Sequence, residues 1–483
     1  MPRPKEQQRT VFVCQDCGYE SARWLGFCPS PSCGSSQPLK ETDLSPITSA
    51  GTPWLAGVAE PLLELSSLDA ADQPRIQLPC SEINRVLGGG IVLGSMSLLA
   101  GEPGVGKSTM LLQIAQFLGS QGKKVLYASG EESPHQVKLR SQRLGFAGEN
   151  IFLLSETDVD QLLNRLEECH PALALVDSIQ TLYTREAPSG PGSVVQVREC
   201  GLRLMRWAKA RSVPLLITGH VTKDGSLAGP RVLEHMVDIV MHLEGEELNS
   251  YRVLRSSKNR FGSTAEVGVF EMTGQGLVEV PDPSRALLSQ RYDQAVGATL
   301  VPVLEGSRPL LLEIQALTSA SYAPVPRRVA NGVDYNRLLM LTAVANRRAG
   351  LEIAGQDIIV NVAGGFRVNE PAVDLGVVLS IASSLHNQPL ESGLVAFGEV
   401  GLSGELRNVP QVERRLMEAA RLGMSRCILP EHAQSEFVNP PSLDLVYVRT
   451  LRQALQAALG NSRRVRTSGD SPNIQYAVPG EGW

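Results

Sequence analysis

The stretch Gly101-Glu102-Pro103-Gly104-Val105-Gly106-Lys107-Ser108-Thr109 decides how this chain is read. It fits G-x-x-x-x-G-K-[ST], the phosphate loop, in which backbone N–H groups and a helix N-terminus cradle the phosphates of a nucleotide. Its surroundings agree. The apolar run Ser95–Ala100 reads as a strand before it, and Ser108–Leu118 reads as an amphipathic helix after it. A side chain at Gly104 or Gly106 is expected to obstruct the phosphates. Lys107 is expected to bridge the β- and γ-phosphates of ATP, and Ser108 to hold Mg²⁺.

Outward from this loop, Val125–Ser129, Ile151–Leu154, Leu173–Val176 and Pro214–Thr218 are short apolar runs at strand spacing, with helical patterns such as Val194–Ala210 between them. Strand–helix alternation over residues 71–282 predicts a parallel α/β sheet. Such sheets hold ligands at the carboxyl ends of their strands, so the polar residues just after each run are the candidates. Asp177 ends one run and is expected to orient Mg²⁺ through water. Glu131 and Glu132 follow another; one of them is expected to polarise the attacking water, and the sequence leaves open which. His220, in Gly219-His220-Val221-Thr222-Lys223, is a candidate γ-phosphate sensor. Beyond residue 239 the runs Ile239–Leu243, Tyr251–Ser256 and Val267–Val280 read as antiparallel strands with glycine turns, and Pro281-Asp282-Pro283 marks a boundary.

Four of the eight cysteines cluster at Cys14, Cys17, Cys28 and Cys33. Four thiolates can close a tetrahedral Zn²⁺ site, and the metal then supplies folding energy that so short a unit lacks. Residues 1–36 are thus read as a zinc module and 37–70, rich in Pro, Ser, Thr and Ala, as a linker. Residues 290–460 form a further α/β region and 461–483 a flexible tail. A length of 483 residues itself suggests about three domains. The net charge of −5 excludes a bulk cationic nucleic-acid binder and confines any such contact to local patches. With no apolar run of ~18 residues and no apolar segment near the N-terminus, the reading is cytoplasmic, without a membrane role.

Leu87-Gly88-Gly89-Gly90, Ser129-Gly130-Glu131-Glu132-Ser133, Val176-Asp177-Ser178, Gly219-His220-Val221-Thr222-Lys223 and Lys258-Asn259-Arg260-Phe261-Gly262 occur in this order. In this set the chain closely resembles the RadA (Sms) family of bacterial DNA repair proteins, over nearly its whole length. The resemblance implies a RecA-like ATPase that forms hexameric rings around single-stranded DNA and promotes branch migration of recombination intermediates alongside the RecA recombinase. It also gives Lys258 and Arg260 a role: in a ring whose active sites lie between subunits, they would reach the neighbour's γ-phosphate. The family usually has two residues between the second pair of cysteines and a Trp three residues after the last; here there are four, and Ser36 stands in the Trp place.

Residues 290–460 resemble the proteolytic domain of Lon, through Gly364–Asp374 and Phe397–Arg407. Lon pairs a Ser nucleophile with a Lys base. Matched by motif, those places hold Ala372 and Glu413 here, so peptide hydrolysis is not expected. Arg327, Arg328, Arg337, Arg347, Arg348, Arg367, Arg414 and Arg415 suggest a DNA-facing patch. An ATP-dependent protease and a KaiC-like nucleotide switch are the alternatives to a DNA motor; Ala372 and Glu413 oppose the first, the zinc module and the Lon-like region the second.

Overall fold

The computed structural model describes residues 9–14, 20–29, 38–44, 74–187, 189–220, 231–245, 250–289, 292, 294–435 and 442–460. The chain divides into two compact units: one is Met1–Ala286 with the short stretches Leu304–Arg308 and Gly364–Phe366, and the other is the rest.

In the first unit, β1 (Arg9–Val13) pairs antiparallel with both β2 (Glu20–Ser21) and β3 (Lys40–Leu44). The boundary expected at residue 36 therefore falls too early, because β3 lies in what was read as linker. Cys14 and Cys28 are buried together with Leu39 in a small apolar cluster. Cys17 and Cys33 lie outside the described residues.

The main sheet of this unit begins after a two-stranded pair, β4 (Arg75–Ile76) and β5 (Ile91–Val92), which flank α1 (Ser81–Leu87). Then follow β6 (Met96–Gly101), α2 (Lys107–Ser120), β7 (Val125–Ser129), α3 (Pro134–Arg143), β8 (Ile151–Leu154), α4 (Val159–Cys169), β9 (Leu173–Asp177), α5 (Val194–Arg211), β10 (Leu215–His220) and α6 (Arg231–Met236). Four more strands complete it: β11 (Ile239–Glu244), β12 (Tyr251–Asn259), β13 (Val267–Thr273) and β14 (Gly276–Glu279). The order across the sheet is β14-β13-β12-β11-β6-β10-β9-β7-β8. The strands read from apolar runs before residue 245 are all present, within one or two residues at each end; Tyr251–Ser256 extends three residues further, to Asn259, and Val267–Val280 divides into β13 and β14. β11 pairs antiparallel with β12 yet parallel with β6, so the antiparallel strands extend the same sheet. β6 is buried along its whole length, as expected of a strand covered on both faces. One core lies on each side: Leu99, Leu111 and Phe270 belong to one cluster, Leu98, Leu163 and Trp207 to the other.

The second unit begins within α7 (Pro283–Leu288) and contains all but the adjoining ends of β15 (Ala298–Glu305) and β16 (Arg308–Ala320), then β17 (Arg328–Asn331), α8 (Tyr335–Val344), β18 (Gln356–Val362), α9 (Asp374–Leu385) and β19 (Leu394–Ala396). β20 (Glu399–Val400), β21 (Leu406–Arg407), α10 (Val412–Arg421), β22 (Arg426–Pro430), β23 (Asp444–Val448) and α11 (Leu451–Leu459) follow. Its seven-stranded sheet runs β17-β18-β16-β15-β19-β22-β23. The expected tail, 461–483, lies outside the described residues. Among the described residues no helix is long and apolar enough to cross a membrane.

Candidate functional site

The parallel strands β6, β10, β9 and β7 are neighbours in that order, and the predicted site residues sit at their carboxyl ends. Gly101 closes β6 and opens the phosphate loop; His220 closes β10 with its backbone beside Gly101; Asp177 closes β9 and pairs with Ser129, the last residue of β7. The side chain of His220 and the following Val221–Lys223 lie outside the described residues.

The loop turns through Gly104 at φ 79° and Gly106 at φ 115°. These left-handed conformations are open to glycine at little cost. A Cβ at Gly104 would meet nothing within 4 Å, so in this chain it is backbone conformation, and not crowding, that demands glycine there. Lys107 is the first residue of α2 and is only 5% exposed. Its Nζ donates to the carbonyls of Gly101 and Glu102, each at 2.9 Å. Burial pushes its pKa below the usual lysine value, while the charges of Asp177 and Glu131 pull it back up.

Asp177 is fixed from two sides. Tyr127 on β7 donates its hydroxyl to Oδ2 at 2.7 Å, and Thr218 on β10 donates to Oδ1 at 2.6 Å. Both donors are buried. Burial, then the negative charge of Asp177, raises the Tyr127 phenol well above its ordinary pKa, which keeps it a donor.

The two adjacent glutamates part company. Glu132 is held by both terminal guanidinium nitrogens of Arg140 on α3, and its backbone N–H donates to the Ser129 hydroxyl at 3.0 Å. Glu131 turns the other way and accepts from Ser178 at 2.5 Å. Gly130, just before them, donates its N–H to the Asp177 carbonyl at 3.0 Å, and a Cβ on it would lie 2.0 Å from the Thr181 hydroxyl. Sequence reasoning singled out the carboxylates and missed the hydroxyl donors Tyr127, Ser178 and Thr218. Their signal is only that each lies on, or just after, a strand reaching the same sheet edge.

Lys258 to Gly262 lie elsewhere. Asn259 ends β12 opposite Ile239, which in turn pairs with Ser97 near the start of β6. That is the sheet edge remote from the phosphate loop, roughly 13 Å along β6 at ~3.3 Å per residue. Lys258 Nζ caps the end of α6 by donating to the carbonyls of Glu234 and His235, at 2.8 and 3.1 Å. Arg260 pairs with the buried Asp238 at 3.1 Å. The turn itself packs on the glycine run before β6: a Cβ at Gly262 would stand 2.9 Å from the Gly88 Cα, and Arg75 donates to the carbonyls of both Gly88 and Phe261.

In the second unit, Ala372 is buried and Glu413 is exposed on α10. Three of the eight arginines read as one patch, Arg328, Arg337 and Arg415, are engaged within the unit instead. Arg415 is fully buried against Glu370, and Arg337 chelates the buried Asp374. Arg328 donates to the carbonyls of Arg327, Gln356 and Ile353. Only Arg327, Arg347, Arg348, Arg367 and Arg414 of that set are exposed. Among the described residues no three His, Cys, Asp or Glu side chains are grouped to hold a metal ion.

A phosphate loop between a buried parallel strand and its helix, with an aspartate and a glutamate pair on the adjoining strand ends, defines a P-loop ATPase with a RecA-like core. A family model described as AAA domain matches residues 59–226, and one described as subunit ChlI of Mg-chelatase matches 332–433. The chain is 46% identical over 460 residues to the DNA repair protein RadA of Halalkalibacterium halodurans, covering 94% of this chain and 99% of that one. It is 44% identical to RadA of Bacillus subtilis and 45% to RadA of Listeria monocytogenes, with the same coverage. It belongs to the RadA family of DNA repair proteins. A KaiC-like protein from Pyrococcus horikoshii is similar over 43% of this chain and 99% of its own, at 21% identity and a TM-score of 0.36.

Proposed function

We propose that this protein is a DNA-dependent ATPase, a helicase-like motor that works on recombination intermediates in DNA repair and promotes branch migration alongside RecA. Family membership supports the repair role. The observation that carries the motor reading is the separation of the phosphate loop from Lys258 and Arg260 at opposite edges of one sheet. Two cations too far from their own chain's loop suit a neighbour's, in a ring assembled as a hexamer with its active sites between subunits.

In this reading Gly101–Thr109 hold the phosphates of ATP. The residues fit that group: the loop's glycines take the left-handed conformations a phosphate cradle needs, and a buried lysine lies within it. Lys107 would exchange its two carbonyl acceptors for phosphate oxygens. Ser108 and Asp177 would hold Mg²⁺, Asp177 through water; the ion neutralises developing phosphate charge. Glu131 takes the proton of the attacking water. The Arg140 pair withdraws Glu132 from that role, which favours Glu131 between the two. His220, beside Gly101 at the strand end, relays the state of the γ-phosphate. Single-stranded and branched DNA would be gripped through phosphates, without sequence preference.

Hydrolysis measured with and without single-stranded DNA tests the reading. Stimulation by DNA is expected in the native protein. Lys258→Ala is expected to bind nucleotide normally and to lose that stimulation. A wild-type rate indifferent to DNA would refute the motor; undiminished stimulation in Lys258→Ala would refute the role of the remote edge.

The N-terminal module is proposed to bind one Zn²⁺ through Cys14, Cys17, Cys28 and Cys33. The burial of Cys14 and Cys28 in one cluster supports this, since it brings together two of the four thiols from separate pairs in the sequence. Protein purified without chelator should carry about one zinc per chain, as four cysteines make one tetrahedral site. Cys14→Ser with Cys28→Ser should abolish it, and a zinc content near zero in the native protein would refute the site.

A further inference from the structure

The Ser178 side chain is at odds with its local position. Ser178 is the N-cap of the short turn Ile179–Thr181, where a serine hydroxyl ordinarily accepts a backbone N–H of the turn. It makes no such bond. Its carbonyl accepts from Thr181 instead, through both the N–H and the side-chain hydroxyl. The Ser178 hydroxyl donates to Oε1 of Glu131 at 2.5 Å. Ser178 is 0% exposed, so its hydroxyl has no ready exchange with bulk water.

The ground beneath this bond is fixed. Gly130 N–H bonds the Asp177 carbonyl, which ties the turn after β7 to the end of β9. Thr181 fills the space a side chain at residue 130 would need. Asp177 is itself clamped by Tyr127 and Thr218. A hydroxyl carried on such a base sets where the carboxylate of Glu131 rests, and a general base acts only within hydrogen-bond reach of the proton it takes.

We propose that Ser178 is a positioning residue for ATP hydrolysis, its hydroxyl holding the Glu131 carboxylate at the carboxyl end of β9, ready for the attacking water. The inference rests on Glu131 being the base. Ser178 would touch neither nucleotide nor water. Losing its bond should therefore lower turnover and leave nucleotide affinity alone.

The test is a double-mutant cycle on the full chain, with hydrolysis rates and the affinity for a non-hydrolysable ATP analogue measured for each protein. Ser178→Ala is expected to lower kcat by about 10- to 100-fold, the range of one hydrogen bond to a charged group, with analogue affinity unchanged within about 2-fold. Glu131→Gln should lose more, and adding Ser178→Ala to it should change nothing further, because the two act as one unit. A wild-type kcat in Ser178→Ala overturns the proposal. So does a loss of analogue binding, which would make Ser178 structural, or an undiminished effect of Ser178→Ala in the Glu131→Gln background. Wild-type turnover in Glu131→Gln overturns the base assignment itself, and is recognised by that single variant before Ser178 is considered.

Discussion

Lys107→Ala is expected to abolish hydrolysis, by at least about 100-fold, while leaving the fold as stable as before or slightly more so. The loss follows from removing a preorganised cation from a site where negative charge develops, an effect of about 10²–10³ for a single donor in comparable settings. The stability half has a separate argument. Lys107 is nearly fully buried, and desolvation pulls its pKa below the ordinary lysine value against the opposing charges of Asp177 and Glu131. A lowered lysine pKa means the folded chain holds the proton less well than the unfolded chain. The ammonium thus weighs against folding at every pH below its folded pKa, and the penalty is lost as pH rises from there toward the usual 10.5. Alanine removes the charge altogether. Of the two carbonyls it leaves, that of Glu102 lies on the exposed stretch Glu102–Gly104 and can be hydrated, while that of Gly101, at the buried end of β6, loses its donor and offsets part of the gain. Thermal unfolding and ATP turnover measured on the same preparation check this. A variant that loses activity only because it unfolds would contradict it, as would one that hydrolyses ATP normally.

The same residue shows why the phosphate loop was legible in the sequence. Its chemistry needs backbone conformation, one lysine and one hydroxyl at fixed spacing, all contiguous, so nine residues contain the whole signal. The sheet was legible for a similar reason: strands buried on both faces leave uninterrupted apolar runs, as in Leu173–Val176. What was not legible was pairing across the fold. Glu131 and Glu132 are chemically alike and adjacent. Only Arg140, eight residues beyond Glu132, and Ser178, just past the end of another strand, set them apart. The glycine run Gly88–Gly90 and Gly262 carry separate motifs in sequence but share one close backbone contact in space. The end of the N-terminal module was misplaced because Lys40–Leu44 is polar, with no apolar alternation to mark it as a strand; it is held by its ladder to β1.

Three arginines of the second unit were the largest misreading, and Arg415 gives the sharpest test of why. On charge alone it belongs with Arg414 in a basic pair facing solvent. On helix α10, however, Arg415 falls on the inner face with Val412, Leu416 and Ala419, all buried. Its guanidinium is fully enclosed. It makes two bonds to Glu370, at 2.8 and 2.6 Å, and donates to the carbonyls of Pro302 and Pro410 at 2.8 and 3.0 Å; it also sits 5.9 Å from the centre of the Phe397 ring. Arg415→Ala would strand the partly buried Glu370 carboxylate, leave two carbonyls without their donor and open a void. Breaking a buried pair from one side costs about 3–5 kcal/mol, because the remaining charge is left uncompensated. The expected result is a second unit that melts about 10 °C lower, at roughly 2–4 °C per kcal/mol for a domain of this size. Replacing both partners, Arg415→Met with Glu370→Leu, should recover most of that loss, since no charge is then left buried alone. Exposed Arg414→Ala should shift the melting point little. An Arg415→Ala protein as stable as the native one would mean that the pair is dispensable. Failure of the double replacement to recover stability would assign the loss to packing around Phe397 and the carbonyls rather than to charge.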